Sequence, residues 1–300
     1  MRSTVTDPSD AESVPDSTES DSGSLASPSG LVAERGDISI RPIRTLPEYL
    51  ACVELQEHVW GMEYADGVPA SLLQVATYVG GVVTGAFDAA GELVGFVFGI
   101  TGVKDGEIVH WSHLLGVRDS ARNLGLGRLL KEAQRVELAA RGVTTMYWTF
   151  DPLVAKNAHL NLNRLGAQVV EYAPNMYGTT RSPLHYGLAT DRLVVSCSTH
   201  PHSAPRTFVP PTMPMPVATP NPHAGDLLLD KAAPPATFGI EIPGDVMQVI
   251  AASPDAVGRW RKSVREYFQW GLAQGYRVTG VLRDPVASRS FYILQKPEPV

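Results

Sequence analysis

Arg122-Asn123-Leu124-Gly125-Leu126-Gly127 lies between an apolar strand-like run, Ile108 to Val117, and a strongly periodic helix. Two glycines let the backbone turn tightly and approach a ligand closely, so peptide N–H groups of the first helical turn can converge on one anion. The helix carries Leu126, Leu129, Ala133, Val136 and Ala140, a spacing that places one face on a core. Gly142 ends it, and Val143 to Phe150 reads as the next strand.

Outward from this stretch the pattern is α/β. Ile38 to Ile43 alternates as a short strand, Leu46 to Val59 and Pro69 to Tyr78 read as helices, and Val82 to Phe87 and Leu93 to Ile100 form a hairpin around Ala89-Ala90-Gly91. Beyond the central loop, helix and strand come a helix from Asn157 to Gly166 and strands at 168–172 and 192–197. Residues 199–237 are too rich in proline for a helix or central strand and read as a linker or arm. Residues 238–300 read as strand, helix, strand and strand, with Val257, Trp260, Val264, Tyr267 and Phe268 marking the apolar helix face. Some sixty residues of this kind are marginal alone. They are expected to pack on the core or on a partner subunit, which makes a homodimer through this appendage an open expectation.

Composition narrows the function classes. Residues 1–36 are rich in Ser, Pro, Gly and Asp and carry five of the six net negative charges, so they are expected to be a disordered acidic tail on a nearly neutral remainder. No basic stripe of the kind nucleic acid requires is present. The longest apolar run, around Leu93 to Val103, is too short to span a bilayer, and no secretory pattern opens the chain, which points to a cytoplasmic protein without a membrane partner. Cys52 and Cys197 fit neither a disulfide framework nor metal-ligand spacing, so no metal is expected.

The order Arg-x-x-Gly-x-Gly between strand and helix resembles the acyl-CoA signature of the GNAT (Gcn5-related) N-acyltransferase superfamily. The resemblance spans residues 38–198. It includes Val117, five residues before Arg122, and the Asn157 to Gly166 helix ending in Leu165-Gly166-Ala167. Trp111 to Val117, Thr149 to Leu153 and Asn157 to Asn161 resemble a bacterial subfamily more narrowly. The resemblance implies a mixed, mostly antiparallel sheet flanked by helices, here with the C-terminal appendage added. It implies acetyl-CoA or another acyl-CoA as co-substrate and a small amine or amino acid as acceptor. Leu115, Gly116 and Val117 would pair with pantetheine through their backbone, while Arg122, Asn123, Leu124, Gly125, Leu126, Gly127 and Arg128 would hold the pyrophosphate. Trp60, Glu63, Tyr64 and Asp66 would lie on the acceptor side, where a solvated loop with one anchoring aromatic is an equal reading.

Acyl transfer needs a base for the amine and support for the leaving thiolate. His113 is the favoured base, since an unperturbed imidazole titrates near neutrality. Strict alternation puts it on one face with Trp111, Leu115 and Val117 unless a bulge intervenes; a core histidine is the competing reading. Asp151 is a candidate for the acceptor ammonium or a water, or simply a turn residue before Pro152. The tyrosine that many GNAT enzymes use as general acid falls here on Leu162. Asn157, toward pantetheine, and Asn161, or a tyrosine at 172 or 177, toward the thiolate, are candidates instead. A succinyl donor would be read by Arg118, Arg164, Arg181 or Arg192. Two other classes compete. One is a dinucleotide-binding oxidoreductase, disfavoured because Leu130 stands where the third glycine belongs. The other is a catalytically silent acyl-CoA sensor or scaffold.

Overall fold

The computed structural model describes residues 33–35, 37–61, 67–178, 189–200, 208–212, 214–284 and 288–298. The acidic tail apart from Ala33–Arg35, and Glu63, Tyr64, Asp66 and Arg181, lie outside the described residues.

The strand-like runs become one eight-stranded sheet. In chain order the strands are β1 (Ala33–Arg35), β2 (Ile38–Pro42), β3 (Val82–Phe87), β4 (Leu93–Lys104), β5 (Glu107–Val117), β6 (Thr145–Phe150), β7 (Gln168–Ala173) and β8 (Arg192–Ser198). Their spatial order is β1-β2-β3-β4-β5-β6-β8-β7. Each neighbouring pair is antiparallel except β5 and β6. A mixed, mostly antiparallel sheet flanked by helices is the fold class expected. It also sets the chain apart from a dinucleotide-binding unit, whose sheet is mostly parallel.

Helices cover both faces. α1 (Leu46–Trp60) and α2 (Ala70–Tyr78) bury Cys52, Leu55 and Leu73 against Val83, Phe87, Phe96, Phe98 and Leu114. Glu48 accepts from the N–H groups of Arg44 and Thr45 and so fixes the start of α1. α3 (Leu126–Ala140) buries Leu126, Leu130 and Ala133 on the opposite face, against Ile40, Ala86, Val94 and Val97. The buried stripe of α3 is rotated from the one its apolar spacing suggests: Val136 is exposed, while Lys131, Gln134 and Leu138 are buried. A second helical layer follows β6, where α4 (Ala155–Ala158) passes into a π-helical segment, His159–Arg164.

The C-terminal residues add α5 (Val246–Ala252), α6 (Pro254–Ala273) and a four-stranded sheet ordered β11-β12-β10-β9, from β9 (Val217–Ala218), β10 (Thr237–Pro243), β11 (Arg277–Asp284) and β12 (Arg289–Gln295). Part of the proline-rich arm thus lies along this sheet, with β9 parallel to β10. Leu31–Val300 form one compact unit, and the appendage packs on its own chain's core. Phe238, Val264, Phe268 and Tyr292 share a hydrophobic cluster with Trp148, Phe150, Leu162 and Leu193. Polar ties lock the two sheets together. Asn163 donates to Val281 O at 2.8 Å and accepts from Val281 N at 2.9 Å. Arg265 and Tyr172 both donate to Asp191, and these bonds outweigh the effect of burial and bring its carboxyl below the ordinary range. Among the described residues no helix is long and apolar enough to cross a membrane.

Candidate active site

Among the described residues β5 and β6 are the only parallel neighbours in the large sheet, and they stay together briefly. Their pairing joins Val109, His110 and Trp111 to Thr145, Met146 and Tyr147. β5 then continues to Val117 and β6 to Phe150 without each other. Ser112 to Val117 therefore keep β4 on one edge and leave the other edge unclaimed by β6. Unpaired strand edges carry N–H and C=O groups ready for an extended ligand. Leu115, Gly116 and Val117 all lie in this opened stretch. Gly116 has a steric reason to be glycine: a Cβ there would come within 2.9 Å of Leu55 and 3.2 Å of the Trp60 ring. Trp60 thus rides over the strand backbone from the α1 face.

The glycine loop stands at the end of the opening. A short 3-10 turn, Asp119–Ala121, is followed by extended Arg122, then by Asn123 at φ 67° and Gly125 at φ 76°. Asn tolerates the left-handed region better than most side chains. Successive residues of this kind bend the chain into a concavity lined by N–H groups. Gly125 is the N-cap of α3 and has no side chain to cap it, so the first two amides of α3, at Leu126 and Gly127, meet no cap, while Arg128 N–H donates to Gly125 O at 3.1 Å. Leu126 anchors the turn in the core, while Asn123, Leu124 and Gly125 face solvent. The side chain of Arg122 pairs with Asp119 at 2.7 Å, and that of Arg128 with Glu132 at 2.7 Å.

A register shift in β5 decides where His113 points. Phe98 faces Leu114 and Gly99 faces Ser112, so His113 is skipped. Alternation fails there: Leu115 and Val117 pack toward α3, whereas His113 meets the edge of Phe98 in the α1 and α2 cluster, with ring centroids 6.1 Å apart. His113 is exposed on that face. The sequence reading that grouped it with Leu115 and Val117 is corrected by this bulge.

Two other candidates sit elsewhere than expected. Asp151 is taken up by the appendage: Arg261 donates to both of its oxygens at 2.6 and 2.9 Å, and Leu153 N–H donates to Oδ1 at 2.8 Å. A carboxylate so occupied is a turn and ion-pair residue, and the acceptor role is withdrawn. Asn157 and Asn161 lie in different surroundings. The helix widens to π geometry between them, leaving Asn157 exposed and Asn161 buried with its Oδ1 accepting from Trp148 Nε1 at 2.9 Å. Tyr172 is spent on Asp191, while Tyr177 meets Thr149 Oγ1 at 3.3 Å. The arginines are also dispersed, Arg118 donating to Leu93 O and Arg192 lying 3.7 Å from Asp151.

The sequence reading missed a buried polar chain on the α3 face of β5. Lys131 Nζ donates to Ser112 Oγ at 2.6 Å, and Ser112 donates to Gln134 Oε1 at 2.6 Å. Gln134 Nε2 lies 3.1 Å from His110 Nε2, His110 Nδ1 lies 3.0 Å from Thr101 Oγ1, and Thr101 donates to Gly80 O at 2.7 Å. The terminal carbonyl can only accept, so the direction of every bond follows. His110 carries its proton on Nδ1 and accepts at Nε2. Burial, with Lys131 and Arg141 adding repulsion, pushes His110 down to about 3, consistent with that neutral ring. Gly99 makes room for it, since a Cβ there would fall 2.2 Å from His110 Nε2. Lys131 Nζ also lies 4.3 Å from the centre of the Trp148 ring, and burial pushes it down to about 7. A signal was present: His110 and Ser112 alternate on one strand face, and Lys131 and Gln134 interrupt the buried stripe of Leu130 and Leu138.

No protein-family model matches the chain, and no curated protein matches it in sequence. Among solved structures it is similar to the ribosomal-protein-S18-alanine N-acetyltransferase of Escherichia coli, at 19% identity and TM-score 0.43 over 54% of this chain and 94% of that one. It is similar also to an acetyltransferase of the GNAT family from Streptococcus pneumoniae, at 15% identity and TM-score 0.44 over 54% and 99%. A third is Arabidopsis thaliana Naa50 in complex with a bisubstrate analogue, CoA-Ac-MVNAL, at 17% identity and TM-score 0.43 over 54% and 99%. These matches span about half of this chain.

Proposed function

We propose that the chain is an acyl-CoA-dependent N-acyltransferase of the GNAT type, moving an acetyl group from CoA to a small amine or amino acid by direct attack in a ternary complex. The observation that carries this reading is the parting of β5 from β6 beyond Trp111 and Tyr147, with the uncapped start of α3 at its open end. An extended pantetheine arm fits the unclaimed edge at Leu115, Gly116 and Val117. A diphosphate fits the amides of residues 122–128, where the helix dipole adds attraction. The coenzyme would supply the activated acyl carbon and a sulfur leaving group.

The chain's own residues then divide the work between the two sheet faces. The acceptor approaches from the α1 and α2 side, where His113 is exposed and Trp60 covers Gly116. His113 takes the proton that the attacking nitrogen sheds, directly or through one water. A cleft of about 200 Å³ bounded by Val53, Glu57 and Pro69 lies on the same side and is the candidate acceptor pocket. Asn157, exposed on α4, is the candidate to bond the pantetheine arm. Asn161 supports the sulfur side through Trp148. Acetyl is favoured over succinyl because Arg118 and Arg192 already have partners, Arg118 donating to Leu93 O and Arg192 lying 3.7 Å from Asp151.

Calorimetric titration with acetyl-CoA and with NAD separates this reading from an oxidoreductase. Release of CoA thiol with a panel of small amines separates an enzyme from a silent acyl-CoA binder. Binding of acetyl-CoA in the micromolar range with amine-dependent thiol release is the expected result, whereas preference for NAD would overturn the reading.

A further inference from the structure

The opened strands have two faces, and only one is needed for the acceptor. If the diphosphate rests on residues 122–128 and the arm runs back along Val117, Gly116 and Leu115, its sulfur end reaches Ser112 to Leu114. That is about 17 Å from Val117 at roughly 3.3 Å per residue, the reach of an extended pantetheine arm. This is the apex, where pairing between β5 and β6 stops. On the acceptor face the apex presents His113. On the α3 face it presents Ser112 and Trp148, the first residue of each strand beyond the last pair, and Lys131 Nζ touches both.

Resting on the acyl-CoA reading above, we propose that Lys131 is the general acid of the reaction, giving its proton to the departing sulfur of CoA. As the nitrogen–carbon bond forms and the carbon–sulfur bond breaks, the electron pair goes to sulfur. A proton passes from the Lys131 ammonium to that sulfur and leaves a neutral amine, which regains a proton from water. The acceptor enters as an ammonium and sheds two protons through His113, one before the attack and one as the amide forms, so with one proton taken up at sulfur the net reaction releases CoA thiol, amide and one proton.

Three observations support this. Among the described residues Lys131 has no carboxylate salt bridge: its contacts there are a hydroxyl and an aromatic face, which hold the group in place without fixing its charge. The five-bond chain ending at Gly80 O obliges Ser112 to offer Lys131 a lone pair, so the position of Nζ is set by groups anchored on β4, β5, the turn before β3 and α3. Finally, Lys131 and Trp148 line a cavity of about 30 Å³ that continues to Arg135, Arg164 and Cys197, so the group is not sealed in by apolar packing. The charged or titratable groups around it are His110 on β5, Cys197 on β8, Glu132 and Arg135 on α3, and Arg164 on the π-helical segment. With burial dominant among its shifts, an amine titrating near 7 is populated in both forms at neutral pH, as acid catalysis requires.

The test reads the bound thiol itself. CoA is bound to the full chain and its thiolate followed by ultraviolet difference absorbance across pH, alongside calorimetry and the pH dependence of kcat. In the wild type the bound thiol should ionise about one pH unit or more below free CoA, because an ammonium at the sulfur favours thiolate. Lys131→Met should bind CoA with little change, lose that shift and lower kcat about 10²-fold. Lys131→Arg should keep the thiol shift, since its charge remains, yet lose the decline of kcat above pH 7 that Lys131 deprotonation produces. A wild-type bound thiol that titrates like free CoA overturns the proposal whether or not the variants fold. So does a Lys131→Met complex with an unaltered thiol shift. Absence of CoA binding to the wild type would instead bring down the acyl-CoA reading, and this inference with it, by a different signal.

Discussion

Arg261 on α6 grips Asp151, at the end of β6, through two bonds of 2.6 and 2.9 Å, in a site where the two side chains keep only 9% and 14% of their exposure. The pair joins the C-terminal appendage to the strand that forms one wall of the opened site. Its orientation matters as well as its charge, since Arg261 Nε is buried without a partner among the described residues and the forked end carries the interaction. Removing one member should be costly. Arg261→Ala is expected to destabilise the protein by about 3 kcal/mol in urea unfolding, while Arg261→Met with Asp151→Leu should recover most of that loss. Equal losses in the single and double variants would show that the pair is incidental.

Gly99 faces the buried imidazole so closely that a methyl group there meets His110 Nε2 at 2.2 Å and Trp111 O at 2.6 Å. A backbone carbonyl cannot step aside as a flexible side chain can. Gly99→Ala is expected to lower stability by about 2 kcal/mol, read by thermal or urea unfolding. A neutral effect would mean that the polar chain relaxes without cost.

The two buried titratable groups on the α3 face act in separate pH windows. His110 is held near 3 in the fold against an unfolded value near 6.5, so the unfolded state takes up the proton first and stability falls as pH drops from about 6.5 toward 3. Lys131 is held near 7 against about 10.4 unfolded, so folding again opposes protonation and stability rises as pH climbs from about 7 to 10. Lys131→Met should flatten the upper window and leave the lower one, and below pH 7 it should be more stable than the wild type by about 2 kcal/mol. An unchanged slope between pH 7 and 10 would place the lysine in contact with water.

Much of this architecture was legible because it depends on local pattern. The glycine loop between an apolar strand and a periodic helix located α3 and β6, and the hairpin signal at Ala89-Ala90-Gly91 between Val82 to Phe87 and Leu93 to Ile100 gave the meander. Tertiary features were not legible. The bulge at His113 exists because two strands of different local register must pair, which no count along one strand reveals. Asp151 read as free because its partner lies 110 residues away. The helix at 157–166 carried helical spacing, but the switch to π geometry at His159–Arg164, where Leu162 enters the core, is not written in that spacing. Lys131 went unread because a lysine in a helix is ordinarily taken as solvated, and only opposite Ser112 and Trp148 does it become a buried group.

The proposed base, His113, sets the acidic side of the expected rate profile. His113→Gln should lower kcat by about 10²-fold and abolish the acidic limb of the rate profile, with acetyl-CoA affinity little changed. An identical profile in the variant would return His113 to the role of a surface residue on Phe98.

The central claim is that the edge of β5 and the start of α3 together hold one pantetheine-bearing nucleotide. Amide NMR spectra of the full chain, recorded as CoA is titrated in, test it most directly. The account predicts saturable shifts at residues 122–128 and, in the same titration, at Leu115, Gly116 and Val117. Amides in both stretches that stay unmoved under excess CoA would contradict it.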